Sequence, residues 1–190
     1  MLYLVALTFL MTPYAIAVHR FIILGEKTMS FRITPTEPRF RRFFGWSLAL
    51  GLLNYAAMLP GLEEPSLYVL SFVFGIPVVV LAIRGIVLFP AVAVDAPAAN
   101  WRQAIADTGG HGVEIFVIIL VAPLPLFIVS IILGIVNAIL GVIAPNVAAS
   151  IPALNNNSLW VAVLLLVNYT LLVVIASRLY QWTSLGAWPW

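Results

Sequence analysis

Two histidines and two glutamates stand close to the predicted ends of apolar segments, where their side chains have the chemistry to meet around a metal ion. His19 and Glu26 are seven residues apart, close to two helical turns, and His111 and Glu114 are three apart. Imidazole nitrogens and carboxylate oxygens are ordinary ligands of divalent metals. No HExxH motif or glycine-rich phosphate loop accompanies them. We therefore expect no catalytic residue, no metal and no cofactor.

Three asparagines interrupt otherwise apolar segments: Asn54, Asn137 and Asn168. A buried amide without a hydrogen-bond partner is costly, and asparagines inside membrane helices commonly bond to a neighbouring helix. We expect these residues to fix helix packing. The alternative, a transport pathway, is kept open for Asn168, which lies near the midpoint of the last apolar segment.

The composition identifies the solvent of these segments. Of the 190 residues, 63% are hydrophobic and only 8% are charged, with a mean hydropathy of +1.11. A soluble domain of this size cannot cover so much apolar surface. The chain has no cysteine, which excludes disulfides and thiolate sites. Lipid is therefore the expected partner, and nucleic acid is excluded because the basic residues cluster at segment ends and form no face.

Five stretches are long enough to cross the hydrocarbon core of a bilayer, which takes about 20 residues. The sequence therefore predicts an all-α integral membrane helical bundle, forming a single transmembrane domain. The predicted spans are 2–24, 43–62, 66–90, 113–140 and 159–179. The predicted connections are 25–42 and 91–112 on one side, and 61–65 and 141–158 on the other.

Two local features refine this plan. A short interfacial helix is predicted near 96–107, with Asp95 as its N-cap and Thr108 to Gly110 as its end. Pro123 and Pro125 predict a kink or tilt in the fourth span.

The basic residues set the predicted orientation. All nine lie at or within the connections of one side: Arg20, Lys27, Arg32, Arg39, Arg41, Arg42, Arg84, Arg102 and Arg178. The positive-inside rule then places the N-terminus outside and the C-terminus in the cytoplasm. Cationic side chains at this level are attracted to anionic headgroups. The candidates for such contact are Arg20, Arg39, Arg41, Arg42, Arg84 and Arg178.

One run of the sequence resembles a bacterial family. The stretch LFPAVAVDAPAANWRQAIADTGGHGVEIF is similar to the six-helix inner-membrane proteins of the YciC-like group and to the membrane domain attached to some glycerophosphodiester phosphodiesterases. The resemblance implies a bacterial inner-membrane location and six helices with both ends cytoplasmic, so that this chain would lack the first helix. It implies no activity and no catalytic residues.

Three functional hypotheses follow. The first is a non-enzymatic scaffold, accessory or partner-binding membrane protein, favoured because almost no ionisable group stands at bilayer depth. The second is a small transporter, channel or lipid-handling protein. The third is a membrane enzyme or metal site at the cytoplasmic face, built from the two histidines and two glutamates.

Overall fold

The computed structural model describes residues 2–27, 33–97, 99–143 and 157–186. Throughout these residues the secondary structure is helical, with no strand. Within the same residues, five helical segments are long and apolar enough to cross a membrane. The predicted all-α class with five spans is therefore confirmed, and these helices indicate a lipid bilayer environment.

The described residues contain eight α-helices. In chain order they are α1 Leu2–Leu24, α2 Pro38–Glu63, α3 Tyr68–Arg84, α4 Leu88–Ala93, α5 Trp101–Asp107, α6 Gly112–Val121, α7 Leu124–Ile143 and α8 Asn157–Thr183. A 3-10 turn, Pro65–Leu67, joins α2 to α3. Helix α1 coincides with the first predicted span, whereas α2 and α8 extend beyond theirs. The predicted connection 141–158 lies mostly outside the described residues.

The chain divides into two compact units. The first comprises Met1–Ile115 with Val173–Trp190, and the second comprises Phe116–Leu172. The second unit contains most of α6, all of α7 and the first part of α8. Between α6 and α7 the helix is interrupted at Ala122 and Pro123, because proline cannot donate the backbone hydrogen bond that would continue it. This is where a kink was predicted.

Helices α2 and α3 form a tight hairpin in the first unit. The Ser71 hydroxyl accepts a hydrogen bond from the Gly61 amide at 2.8 Å and donates one to the Met58 carbonyl at 3.2 Å. A Cβ atom at Gly61 would lie 2.6 Å from the ring of Tyr68. The close approach of the two helices therefore depends on glycine at this position.

Helix α2 begins five residues before its predicted start. Pro38 occupies the first turn, where its fixed φ suits a helix and its missing N–H is not needed. As a result Arg39, Arg41 and Arg42 lie within the helix and not in a loop, which corrects the predicted connection 25–42. The buried Phe40 packs edge-on against Phe9 of α1, with ring centroids 5.2 Å apart.

The third predicted span, 66–90, is shorter than expected. Helix α3 ends at Arg84, a turn follows over 85–87, and α4 is a separate helix packed against α1 and α2. Every described residue of α4 is buried except Phe89, whose ring packs edge-on against Phe43 at 5.2 Å. Residues 88–93 are thus core of the first unit instead of the end of a span.

Helix α5 confirms a short helix in the second predicted connection and corrects where it starts. It begins at Trp101, not near 96, and its N-cap is Asn100, whose side chain accepts a hydrogen bond from the Gln103 amide at 2.9 Å. Asp95 instead has a φ of 55°, in the left-handed region that few non-glycine residues adopt. The helix ends at Asp107, as predicted, and Gly110 follows with a φ of 84°.

Candidate functional site

A buried histidine joins the first and last helices of the first unit. Nδ1 of His19, in the last turns of α1, lies 2.7 Å from the Ser177 hydroxyl oxygen of α8. The two residues are 1% and 0% exposed. The Ser177 oxygen is also 2.9 Å from the Val173 carbonyl. Because a hydroxyl carries one proton, donation to that carbonyl requires that Nδ1 of His19 donates to Ser177.

A serine beside a histidine is also the arrangement of a nucleophile and its base. Here both side chains are shielded from any substrate, and the ring of His19 lies against Phe43, with centroids 5.8 Å apart. The pair therefore serves packing: each polar group satisfies the other in an apolar interior.

Four charged residues form a balanced cluster beside this pair. Arg20 makes two hydrogen bonds to the Glu26 carboxylate, at 2.7 and 2.6 Å. Arg39 pairs with Asp95 at 2.5 Å, and Arg20 approaches the same carboxylate at 3.6 Å. Arg20 also donates to the Ala93 carbonyl at 3.1 Å. The cluster thus fixes the end of buried α4 to the end of α1 and the start of α2.

The protonation of Glu26 reflects this pairing. The hydrogen bonds from Arg20 hold the pKa of the Glu26 carboxyl below its ordinary value, because they favour the charged form. The Glu26 side chain is 48% exposed, so water and salt screen the interaction.

Arg84 performs a similar role at the end of α3. Its guanidinium donates to the Thr108 carbonyl at 3.3 Å, and the Thr108 hydroxyl lies 3.1 Å from the Arg84 carbonyl. Gly85, the residue after Arg84, faces the ring of Trp101. A Cβ atom at Gly85 would overlap this ring. The Trp101 ring stacks on Trp46 of α2 at 5.6 Å. These contacts attach α5 to α2 and to the end of α3.

The remaining candidate arginines point away from the protein core. Arg41 and Arg42 are exposed, and no ion pair or hydrogen bond joins their side chains to another described residue. Arg178 is exposed and donates to the Gln181 side chain at 3.0 Å. Of the six predicted headgroup candidates, three have side chains that bond to other elements of the protein: Arg20, Arg39 and Arg84. The other three are exposed: Arg41, Arg42 and Arg178.

Of the three asparagines predicted to form bonds between helices, two have side chains among the described residues. Asn54 is exposed and Asn168 is half-buried, and neither side chain hydrogen-bonds to another described residue. The side chain of Asn137 lies outside the described part. A packing role for these three amides stays a prediction.

Three of the four residues considered as metal ligands have other neighbours, and the fourth, Glu114, is exposed. His19 contacts Ser177, Glu26 pairs with Arg20, and the ring of His111 lies against Trp182 at 4.7 Å. Among the described residues, no group of three histidine or acidic side chains is arranged to hold a metal ion.

The sequence did not indicate Ser177 as an important residue, and it indicated Thr108 only as the end of a helix. Both are fully buried hydroxyls, and each bonds to a backbone carbonyl one turn earlier. For Ser177 the available signal was a serine in an apolar segment directly before Arg178. Such a local pattern does not show which residue of another helix the hydroxyl will contact.

Within the described residues, five helical segments long and apolar enough to cross a membrane indicate a helical membrane protein. Comparison with protein-family models, with characterised proteins and with solved structures returned no match. The resemblance to the YciC-like group therefore stays a prediction drawn from the sequence.

Proposed function

We propose that this chain is a non-enzymatic accessory protein of a bacterial inner membrane, which associates side by side with other membrane proteins. The observation that carries the proposal is the surface of α3. Only 6% of its span is buried, because it packs mainly on α2. The remaining surface is wide and apolar. The α3 side chains that are more than half exposed are Tyr68, Val69, Phe72, Val73, Phe74, Ile76 and Val80.

The polar groups of the first unit support the same proposal by their orientation. His19 and Thr12 are buried and bond to other groups of the chain, and the charged cluster around Arg20 is internally neutral. Transport and proton relay usually need ionisable groups that face a water-filled path. The polar contacts described here hold helices together, which suits a scaffold whose outer surface binds its partners.

Photo-crosslinking in native membranes tests the proposal. A benzoyl-phenylalanine introduced at Phe72 or Ile76 places the probe on the exposed surface of α3. The matched control is Leu10, which is 52% exposed on α1. We expect a discrete protein adduct from the α3 positions and none from Leu10. Recovery of the protein alone, both in crosslinking and in affinity purification, would overturn the proposal.

The orientation proposed with this function has an external α2–α3 turn and a cytoplasmic connection before α2. It is supported by the positions of the basic residues and by Glu63 and Glu64 at the opposite ends of the helices. The chain has no cysteine, so single cysteines can report the side. In intact cells an impermeant maleimide should label Ser66→Cys and spare Thr36→Cys. The reverse pattern would invert the orientation.

A further inference from the structure

The arginines of the first unit fall into two groups, according to whether the side chain has a partner within the protein. Arg20 and Arg39 face carboxylates, and Arg84 faces a backbone carbonyl. The side chains of Arg41, Arg42 and Arg102 are exposed and make no ion pair or hydrogen bond with any described residue. Three positive charges are thus available to an outside ligand.

Two of these charges share a surface of α2 with an open space. Residues four apart lie on one face of a helix, so Gly45 follows Arg41 and Trp46 follows Arg42. No atom lies within 4 Å of a Cβ built on Gly45. Glu37, one turn before Arg41, makes none of the ion pairs found among the described residues. The surface therefore offers two adjacent cationic side chains, open space at Gly45 and the exposed Trp46 ring on the same helix.

The length of α2 places this surface at the membrane boundary. Its 26 residues correspond to about 39 Å of helix, against roughly 30 Å of hydrocarbon. The arginine-rich first turns are the part best solvated by headgroups. Below them the same face continues with exposed, uncharged Ala49 and Leu53, which suit an acyl chain.

Helix α5 completes the surface. Trp101 stacks on Trp46 with an interplanar angle of 27°, and the exposed Arg102 follows it directly. Tryptophan is favoured at headgroup level because its ring is apolar and its N–H is polar.

We propose that the surface formed by Arg41, Arg42, Gly45 and Trp46, together with Trp101 and Arg102, binds an anionic phospholipid. The phosphate meets the arginines, and one acyl chain lies over Gly45 and Ala49. This site is independent of the lateral association proposed above, because that association rests on α3.

Lipid titration of the purified full chain tests the site. Native mass spectrometry counts retained lipids, and thermal unfolding reports stabilisation, with phosphatidylglycerol, phosphatidylcholine of the same acyl chains and inorganic phosphate as the three probes. We expect phosphatidylglycerol to be preferred over phosphatidylcholine. Each basic contact at a membrane surface changes affinity about fivefold, so Arg41→Gln with Arg42→Gln should reduce this preference about 25-fold.

Two further variants separate the site from general charge and from folding. Arg178→Gln removes an equally exposed charge elsewhere in the same unit and should leave the preference unchanged. Gly45→Leu keeps every charge, fills open space without a clash, and should weaken phosphatidylglycerol binding. Equal losses in Arg178→Gln and in the double variant would overturn the site. So would unchanged binding in Gly45→Leu, or the same stabilisation by inorganic phosphate alone.

Discussion

Nδ1 of His19 and the hydroxyl oxygen of Ser177 lie 2.7 Å apart, although 158 residues separate them in the chain. The bond connects α1 with α8 inside the first unit. Both residues are buried, so the His19 ring would be left without this partner if Ser177 were lost, whereas the Ser177 hydroxyl would still bond to the Val173 carbonyl. The Gln181 side chain adds a second link between the two helices, because it donates to the Ile22 carbonyl at 3.3 Å.

Replacing Ser177 by alanine should lower the free energy of unfolding by about 1–3 kcal/mol, because the buried His19 ring then loses its partner. Denaturant unfolding in detergent measures the change. The double variant His19→Phe with Ser177→Ala should recover part of the loss, since no polar group remains unpaired. Ser130→Ala is the control, because among the described residues its hydroxyl bonds only to the Leu126 carbonyl of its own helix. An equal loss in both alanine variants would contradict a special role for the pair.

Adding a side chain at Gly85 should disrupt the attachment of α5. In Gly85→Ala the new methyl group would overlap the Trp101 ring, which must move away from Trp46. We expect a loss of about 1–3 kcal/mol and a changed near-UV circular dichroism signal. Gly75→Ala in α3 is the control, since nothing lies within 4 Å of its Cβ position and alanine favours a helix. A stable Gly85→Ala with an unaltered aromatic signal would refute the contact.

Asp95 combines a strained backbone with a charge, and two variants separate these effects. Asp95→Asn keeps a side chain that tolerates positive φ and removes the pairing with Arg39. Because the Asp95 side chain is 54% exposed, the expected loss is about 0.2–1 kcal/mol and should shrink at high salt. Asp95→Ala also loses the tolerance for φ of 55°, and about 1 kcal/mol more is expected. Identical losses in the two variants would show that the backbone makes no contribution.

The pairing of Glu26 with Arg20 should make the free energy of unfolding depend on pH in the acidic range. The pKa of Glu26 is lowered in the folded protein, so its stabilising contribution is present above the ordinary carboxyl pKa and disappears as pH falls through the lowered value. Unfolding measured across this range should show wild type more stable than Glu26→Gln at neutral pH. The difference should vanish in acid, and a difference that grows in acid would contradict the pairing.

Much of the architecture was predictable because apolar length alone identifies a span. Helix α1 coincides with its predicted range, and the prolines at 123 and 125 marked the break before α7. The fate of residues 85–94 was not predictable. An apolar run has the same composition whether lipid or protein surrounds it, so the sequence could not distinguish the end of a long span from the buried helix α4.

The polar contacts were also predictable only in part. The position of Arg20 at the end of a helix followed from the charge pattern, whereas Arg39 was expected in a connection, and neither carboxylate partner was predicted. Asp95 was expected to cap α5 because it precedes Pro97, yet Asn100 stands directly before the first turn and takes that role. Partner choice depends on which helix ends meet in space, and local patterns carry no information on that.

The link between His19 and Ser177 also imposes an order on synthesis. A ribosome completes α1 long before it reaches Val173, so the nascent first helix holds a histidine without its hydroxyl. A chain truncated ahead of Ser177 would leave the imidazole without this partner, at the cost of an unsatisfied polar group in an apolar interior.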